Sequence, residues 1–276
     1  MAAGFFTDTT LCIGCKACEV ACKQWNELPA DGYAFSGNSY DNTMALGGTT
    51  WRHVAFVEQP APPNAPPTAS RWLMMSDVCK HCTHAGCLEA CPTGAIMRNE
   101  FDDVFIQPDV CNGCGYCVPS CPFGVVDLIG QRGQTGERFA SDGRTGNDAL
   151  QHTGGVAGKC TLCYDRQRIG LEPACAKACP TDSIQFGDVA ELKARARLRV
   201  ASLRERGVDA RLYGVDETTS VGDLNAFFLL TDRPEVYNLP ARPVLPSTHQ
   251  AAGYVTGALA AVAMGVVAAF VFGRDR

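Results

Sequence analysis

Cys79-Lys-His-Cys-Thr-His-Ala-Gly-Cys-Leu-Glu-Ala-Cys-Pro92 and Cys111-Asn-Gly-Cys-Gly-Tyr-Cys-Val-Pro-Ser-Cys-Pro122 are the stretches on which the fold turns. Each holds four cysteines, closes on Cys-x3-Cys and runs at once into proline. That is the spacing of bacterial iron–sulfur ligation, in which the fourth cysteine reaches over to a neighbouring cluster. The intervening segment carries Thr93-Gly-Ala-Ile96, a turn at Asn99, and Asp103-Val-Phe-Ile-Gln107. It predicts a short turn and a strand returning to the next quartet, the layout of a compact two-cluster ferredoxin. Exchange of the last cysteine then predicts one cluster on Cys79, Cys82, Cys87 and Cys121, and another on Cys91, Cys111, Cys114 and Cys117.

Two further quartets lie outside this pair, Cys12/Cys15/Cys18/Cys22 and Cys160/Cys163/Cys175/Cys179, and together the four quartets use all 16 cysteines. At four thiolates per cluster, the chain is expected to hold four [4Fe–4S] clusters. Pro180-Thr-Asp-Ser-Ile184 repeats the pattern of Pro92-Thr-Gly-Ala-Ile96, which implies duplication of one unit. The outer quartets are therefore expected to pair by the same exchange. One cluster would take Cys12, Cys15, Cys18 and Cys179, the other Cys22, Cys160, Cys163 and Cys175.

Other uses of so many cysteines fit less well. Disulfide scaffolds are usually under ~100 residues, and these cysteines lie too close together to staple distant segments. Zinc ribbons pair two Cys-x2-Cys units, whereas Cys-x2-Cys-x2-Cys with a fourth cysteine three residues further on occurs twice here. Net charge is −5, with no basic run, so nucleic acid is not an expected partner. No Gly-x-Gly-x-x-Gly stands between a strand and a helix, so no nucleotide site is expected. Met1 to Leu11 has neither the basic region nor the apolar run of a signal peptide.

The expected fold class is α+β: two nested bacterial-ferredoxin-like 2[4Fe–4S] modules plus a single C-terminal transmembrane helix. The outer module takes residues 1–58 and 155–187, with a strand within Thr49–Glu58. The inserted inner module takes 70–130. Pro60–Pro67 is proline-rich and reads as a surface loop. Residues 131–154 read as a glycine-rich loop. Residues 188–248 read as a helix and linker region packing on partners. Asp188-Val-Ala-Glu191 forms a capping box, Gly207 stops the helix, and the basic side chains from Lys193 to Arg206 form a solvated or partner-facing surface. Ala226–Leu230 is strand-like.

The tail is of a different kind. Pro243 to Gly273 contains no Asp, Glu, Lys or Arg. Its apolar part exceeds the ~20 residues a bilayer-spanning helix requires, so 249–273 is expected to span. Gly253, Gly257, Ala261, Gly265, Ala269 and Gly273 recur every four residues, as on helices that pack closely against another membrane helix. Arg274 and Arg276 favour a cytoplasmic C-terminus, leaving the cluster domain on the periplasmic face of the cell membrane.

With these motifs set out, the chain resembles the iron–sulfur beta subunits of membrane-bound formate dehydrogenases, within the four-cluster electron-transfer subunits of molybdenum and tungsten oxidoreductases. The likeness rests on Cys12-Ile-Gly-Cys-Lys-Ala-Cys18, Val20-Ala-Cys-Lys-Gln-Trp-Asn26, Cys87-Leu-Glu-Ala-Cys-Pro-Thr-Gly-Ala-Ile96, Cys111-Asn-Gly-Cys-Gly-Tyr-Cys117, Lys159-Cys-Thr-Leu-Cys163 and Glu172-Pro-Ala-Cys175. Trp25-Asn26, Asp165-Arg166 and the C-terminal span sharpen it. The resemblance implies a catalytic partner that oxidises formate at a molybdenum or tungsten pterin. It also implies a membrane cytochrome b, or a similar quinone-reducing subunit, that receives the electrons in the lipid bilayer. The chain itself would be non-catalytic, and no catalytic residue is assigned.

Two other readings stay open: the equivalent subunit of a hydrogenase or another molybdoenzyme, and a zinc-stabilised membrane-tethered scaffold. Gly14, Gly113 and Gly115 are expected to let backbone N–H groups approach sulfur. Lys16, Lys23, Lys80 and Lys159 stand beside ligands, where they either raise cluster potentials or simply face solvent. His81 is expected to be a neighbour or hydrogen-bond donor rather than a ligand, and His249 a membrane-interface residue.

Overall fold

The structure is a computed structural model and describes residues 1–30, 43, 45–61, 63–64, 66–129, 155–216 and 218–272. The glycine-rich segment 131–154 lies outside the described residues.

Four times the chain runs through a strand, a cysteine quartet, one or two helices, and a second strand. The first unit is β1 (Ala3–Asp8), α1 (Ala17–Trp25) and β2 (Arg52–Gln59). The second is β3 (Arg71–Val78), α2 (Gly86–Glu89) and β4 (Ile96–Arg98). The third is β5 (Val104–Ile106), α3 (Cys117–Ser120) and β6 (Asp127–Ile129), and the fourth is β7 (Val156–Gly158), α4 (Tyr164–Gln167), α5 (Ala174–Lys177) and β8 (Ile184–Asp188). The strand leaving each quartet pairs antiparallel with the strand entering the next: β2 with β3, β4 with β5, β6 with β7. β8 returns to pair with β1 and closes the cycle. Quartets one and four are brought together in this way, although nearly the whole cluster region separates them in sequence.

The strand expected over Asp103–Gln107 is β5, and the strand expected within Thr49–Glu58 is β2 of a hairpin that reaches Arg71. The turn within quartet one needs a glycine. Gly14 has φ +67°, and a Cβ there would lie 2.6 Å from Met74 Sδ and Phe56 Cε1.

Residues 188–248 differ from the expected linker region: they build half of the interior. α6 (Val189–Glu205) begins at Asp188, whose carboxylate accepts from the N–H groups of Ala190 and Glu191 at 2.9 and 3.2 Å. The helix buries Val189, Leu192, Ala196, Val200 and Leu203, one stripe at three- and four-residue steps. β9 (Arg211–Tyr213) and β10 (Ala226–Leu230) complete a four-stranded sheet in the order β8-β1-β10-β9. β10 is parallel to β1 and all five of its residues are buried. An uninterrupted apolar run is what a strand covered on both faces requires.

The basic side chains of α6 lie on an exposed or half-buried face, and several of them reach back to the chain. Arg199 reaches Asp8 at 2.9 Å, Arg197 reaches Asp216 at 2.8 Å, Arg195 reaches Gln185 at 2.9 Å, and Lys193 pairs with Asp223.

The sheet separates two cores. Phe5 faces an interior made largely of thiols, with Cys18, Cys79, Cys87, Cys117, Cys160 and Cys175 among Val54, Ile96, Val104 and Leu162. Its neighbour Phe6 faces the other side, into an apolar core with Met75, Leu192, Phe227, Phe228 and Leu230. Adjacent strand residues point to opposite faces, so β1 serves both.

The C-terminal helix α7 covers Gln250–Phe272, 23 residues. Its described side chains, 253–265, are exposed, among them Tyr254, Val255, Leu259, Val262 and Met264. Among the described residues no helix is long and apolar enough to cross a membrane. The fold thus supplies a helix where a span over 249–273 is expected, but does not by itself supply the span. Gly273 and the arginines after it lie outside the described residues, as does the side chain of His249.

Candidate metal centres

Three of the predicted thiol sets each surround a void. Cys12, Cys15, Cys18 and Cys179 line one together with Val54 and Ser76. Cys79, Cys82, Cys87 and Cys121 line a second, and Cys91, Cys111, Cys114 and Cys117 a third. Among the described residues no three His, Cys, Asp or Glu side chains close on a single ion.

The remaining set, Cys22, Cys160, Cys163 and Cys175, has all four thiols buried. Burial and then the adjacent Cys175 and Cys163 push the Cys22 thiol up. Burial and then Cys22, Cys79 and Cys175 do the same to Cys160. The same cross-influences place the sets in a row. Cys175 acts on Cys18, Cys79 on Cys160, and Cys117 on Cys87. The row therefore runs from the Cys12 set through the Cys22 and Cys79 sets to the Cys91 set. The two exposed cysteines, Cys15 and Cys114, belong to its two ends.

Burial pushes the thiols of Cys18, Cys87 and Cys163 up to about 12 and that of Cys117 up to about 11. Without metal these groups are protonated at neutral pH; a metal must displace the protons to bind, which ties cluster assembly to proton release. Donors already surround the sulfurs. Leu162 N–H lies 3.3 Å from Cys160 Sγ, Ala157 N–H 3.4 Å from Cys111 Sγ, and Asn26 Nδ2 3.6 Å from Cys22 Sγ. Gly14 N–H is directed at Cys12, as expected of that glycine. The repeated Cys-Pro-Thr now has a reason: Thr93 and Thr181 bring hydroxyls to Cys91 and Cys179, at 3.6 and 3.8 Å. Such donors tune cluster potentials.

The four lysines divide. Lys16 and Lys23 bind Thr43 Oγ1 and Thr49 O near the surface. Lys80 and Lys159 are 1% and 2% exposed. Lys80 pairs with Asp77 above the rings of Phe123 and Phe228. Lys159 donates to Val104 O and, at 3.1 Å, to Cys160 O. Burial alone would lower its pKa, but the thiols of Cys79, Cys87, Cys160 and Cys121 hold it above the ordinary value.

His81 Nδ1 accepts from Val104 N–H at 3.2 Å. Burial, then Lys159, Arg98 and Arg52, push its pKa well down, so the ring is neutral and its proton sits on Nε2. That Nε2 has no partner, nor have Nε and Nη2 of Arg52. Buried donors are rarely left orphaned. Here they stand beside thiol sets, where cluster sulfur would satisfy them, so the residues present fit iron–sulfur clusters. Sequence reading missed Arg52 because nothing near it in the chain is a ligand.

Trp25 and Asp165, 140 residues apart, meet in a 2.7 Å hydrogen bond from Trp25 Nε1, and the Arg166 guanidinium lies 4.2 Å from the Trp25 ring. The two dipeptides that sharpened the resemblance thus latch quartet one to quartet four.

Asp103 is fully buried between Asn99 and Gln167, whose amides donate to it at 3.1 and 2.8 Å. Burial outweighs these bonds and Lys159, pushing its pKa up to about 7. The folded chain therefore holds a proton that the unfolded chain has lost between about pH 4 and pH 7, and stability falls as pH rises through that window. Asp103→Asn is expected to remove that slope and to be more stable than the parent above pH 7. Anaerobic urea midpoints of the iron-loaded protein on either side of the window check this; equal slopes in variant and parent would refute it.

Comparison with known proteins defines the class first. Two models described as 4Fe-4S dicluster domain match, one over residues 11–95 and one over 70–136 and 148–189. The chain is thus a double dicluster protein with four [4Fe–4S] clusters. It is 37% identical to the formate dehydrogenase iron–sulfur subunit of Haemophilus influenzae, over 95% of this chain and 76% of that protein. It is also 37% identical to the formate dehydrogenase-O iron–sulfur subunit of Escherichia coli, over 87% and 72%. The formate dehydrogenase subunit beta of Megalodesulfovibrio gigas is 29% identical over 86% and 98%. The chain belongs to the family of formate dehydrogenase iron–sulfur subunits and is an electron-transfer subunit, not a catalytic one.

Proposed function

We propose that this chain conducts electrons from a formate-oxidising molybdenum or tungsten pterin subunit to a membrane cytochrome b or similar quinone-reducing subunit. The single observation that carries this is the row of four thiol sets with an exposed cysteine at each end. When bound, the clusters supply one-electron redox chemistry. The chain's own residues place them, exclude water and donate hydrogen bonds to sulfur. The proposed ligand sets are those named above: Cys12, Cys15, Cys18 and Cys179; Cys22, Cys160, Cys163 and Cys175; Cys79, Cys82, Cys87 and Cys121; Cys91, Cys111, Cys114 and Cys117. The proposed modules are the outer and inner ferredoxin-like units, with α6, β9 and β10 closing the sheet of the outer one.

Direction follows from the tail. Ser247, at the root of α7, bonds Glu89 of α2 at 2.8 Å, between Cys87 and Cys91. The Cys91 end of the row is therefore proposed to face the membrane and the Cys12 end the catalytic subunit. The exposed apolar α7 is proposed to cross the bilayer once, packed against the quinone-reducing partner, with the cluster domain periplasmic. Purification of the intact complex from detergent-extracted membranes tests the reading. It is expected to reduce quinone with formate and not with hydrogen. Indifference to formate would end the proposal, and recovery of the complex without detergent would end the membrane anchor.

A further inference from the structure

Arg52 opens β2 and is 1% exposed. Its guanidinium lies 4.7 Å from the centre of the Phe5 ring. Nη1 donates to Ser76 Oγ at 3.3 Å and to Ser76 O at 3.4 Å, while Nε and Nη2 meet no acceptor. Among the described residues no carboxylate pairs with it. A buried cation without a counter-charge is strongly destabilising, so this arginine requires negative charge from elsewhere.

The groups that surround it say where. Ser76 Oγ, which binds Arg52, also lies 3.2 Å from Cys18 Sγ. The other thiols whose charge Arg52 feels are Cys175, Cys160 and Cys22. Cys18 belongs to one proposed ligand set and the other three to the next set in the row. Lys80 and Lys159 differ from Arg52 in this respect: one has Asp77, the other two backbone oxygens. Of Arg52, Lys80 and Lys159, Arg52 is the one with nitrogen atoms that meet no acceptor among the described residues, and these lie beside two thiol sets.

We propose that Arg52 is the shared counter-cation and hydrogen-bond donor of the two clusters of the outer module, those on the Cys12 and Cys22 sets. This rests on the ligand sets proposed above. Each cluster gains one electron, and one negative charge, on reduction. A fixed cation in a low-dielectric interior stabilises that added charge. Arg52 thus raises both midpoint potentials. The planar guanidinium holds its donors on two edges in a fixed fork, an orientation that an ammonium does not fix.

The test is redox titration followed by low-temperature EPR, on Arg52→Gln and Arg52→Lys in the intact complex, with iron analysis. Arg52→Gln is expected to lower two of the four midpoints and leave two unmoved; Arg52→Lys is expected to lie nearer the parent. Four clusters with unchanged midpoints in Arg52→Gln would overturn the role of Arg52 and leave the ligand sets standing. Fewer than four clusters in the parent would overturn the ligand sets instead. Should Arg52→Gln not assemble, the parent protein labelled with [15N]arginine decides. Pulsed EPR of its reduced clusters is expected to show 15N coupling, and its absence overturns the proposal.

Discussion

Iron removed from the anaerobic protein by chelation is expected to melt one half of the fold and spare the other. The thiol side of the sheet has cysteine-lined hollows where a packed core would have interlocking apolar side chains. Its strands β4, β5, β6 and β7 are three residues each. Strands that short, in two-stranded pairs, do not persist unaided in water. In such a lobe the free energy of metal binding is the free energy of folding.

The other side is held mainly by its own apolar packing, with Cys82 at its margin. Phe227, Leu229 and Leu230 are 0% exposed, and the α6 stripe packs on them without a cysteine ligand in the buried core. Amide hydrogen exchange is therefore expected to rise across 79–129 and 156–187 on iron removal. Across 189–230 protection is expected to persist. Simultaneous loss in both regions would show a single cooperative core and refute the division.

Cys160→Ala is expected to interrupt the wire at its second position. Cys160 is buried, feels Cys22 and Cys175 of its own set, and also feels Cys79 of the next. Without its thiolate, that cluster lacks one of four ligands. Iron is expected to fall from about sixteen to about twelve per chain, at four irons per cluster. Formate oxidation with an artificial acceptor that draws on the catalytic subunit is expected to continue, while formate-driven quinone reduction stops. Quinone reduction at the parent rate, with iron at about twelve, would mean that the Cys22 set lies off the path and that the row is wrong.

Much of this was legible before any fold was known, because cysteine ligation is local. Three thiols at Cys-x2-Cys-x2-Cys need only a tight loop, helped by Gly14 at φ +67°, to surround one cluster. Strand Ala226–Leu230 and the Asp188 cap were readable for the same reason, since a strand's apolar run and a cap's carboxylate act within a few residues. The place of β10 was not readable. Its pairing with β1 joins residues at opposite ends of the cluster region, and no local pattern encodes such a partner. The ion pairs of α6 were not readable for a related reason: charge periodicity shows that a face is polar, not that Asp8 and Asp216 meet it.

By itself the sequence determined what the chain holds: four clusters, because sixteen thiols in this spacing have few other chemical uses, and an uncharged helix beyond the cluster region. Only the tertiary structure decided how those clusters are surrounded. Lys80 and Lys159 could have been ordinary surface lysines until β3 and β7 carried them inside, and Arg52 had no visible role until β2 laid it beside thiols from two distant quartets. Burial and the charge around a buried group depend on every segment that packs there, so they exist only once the chain has folded.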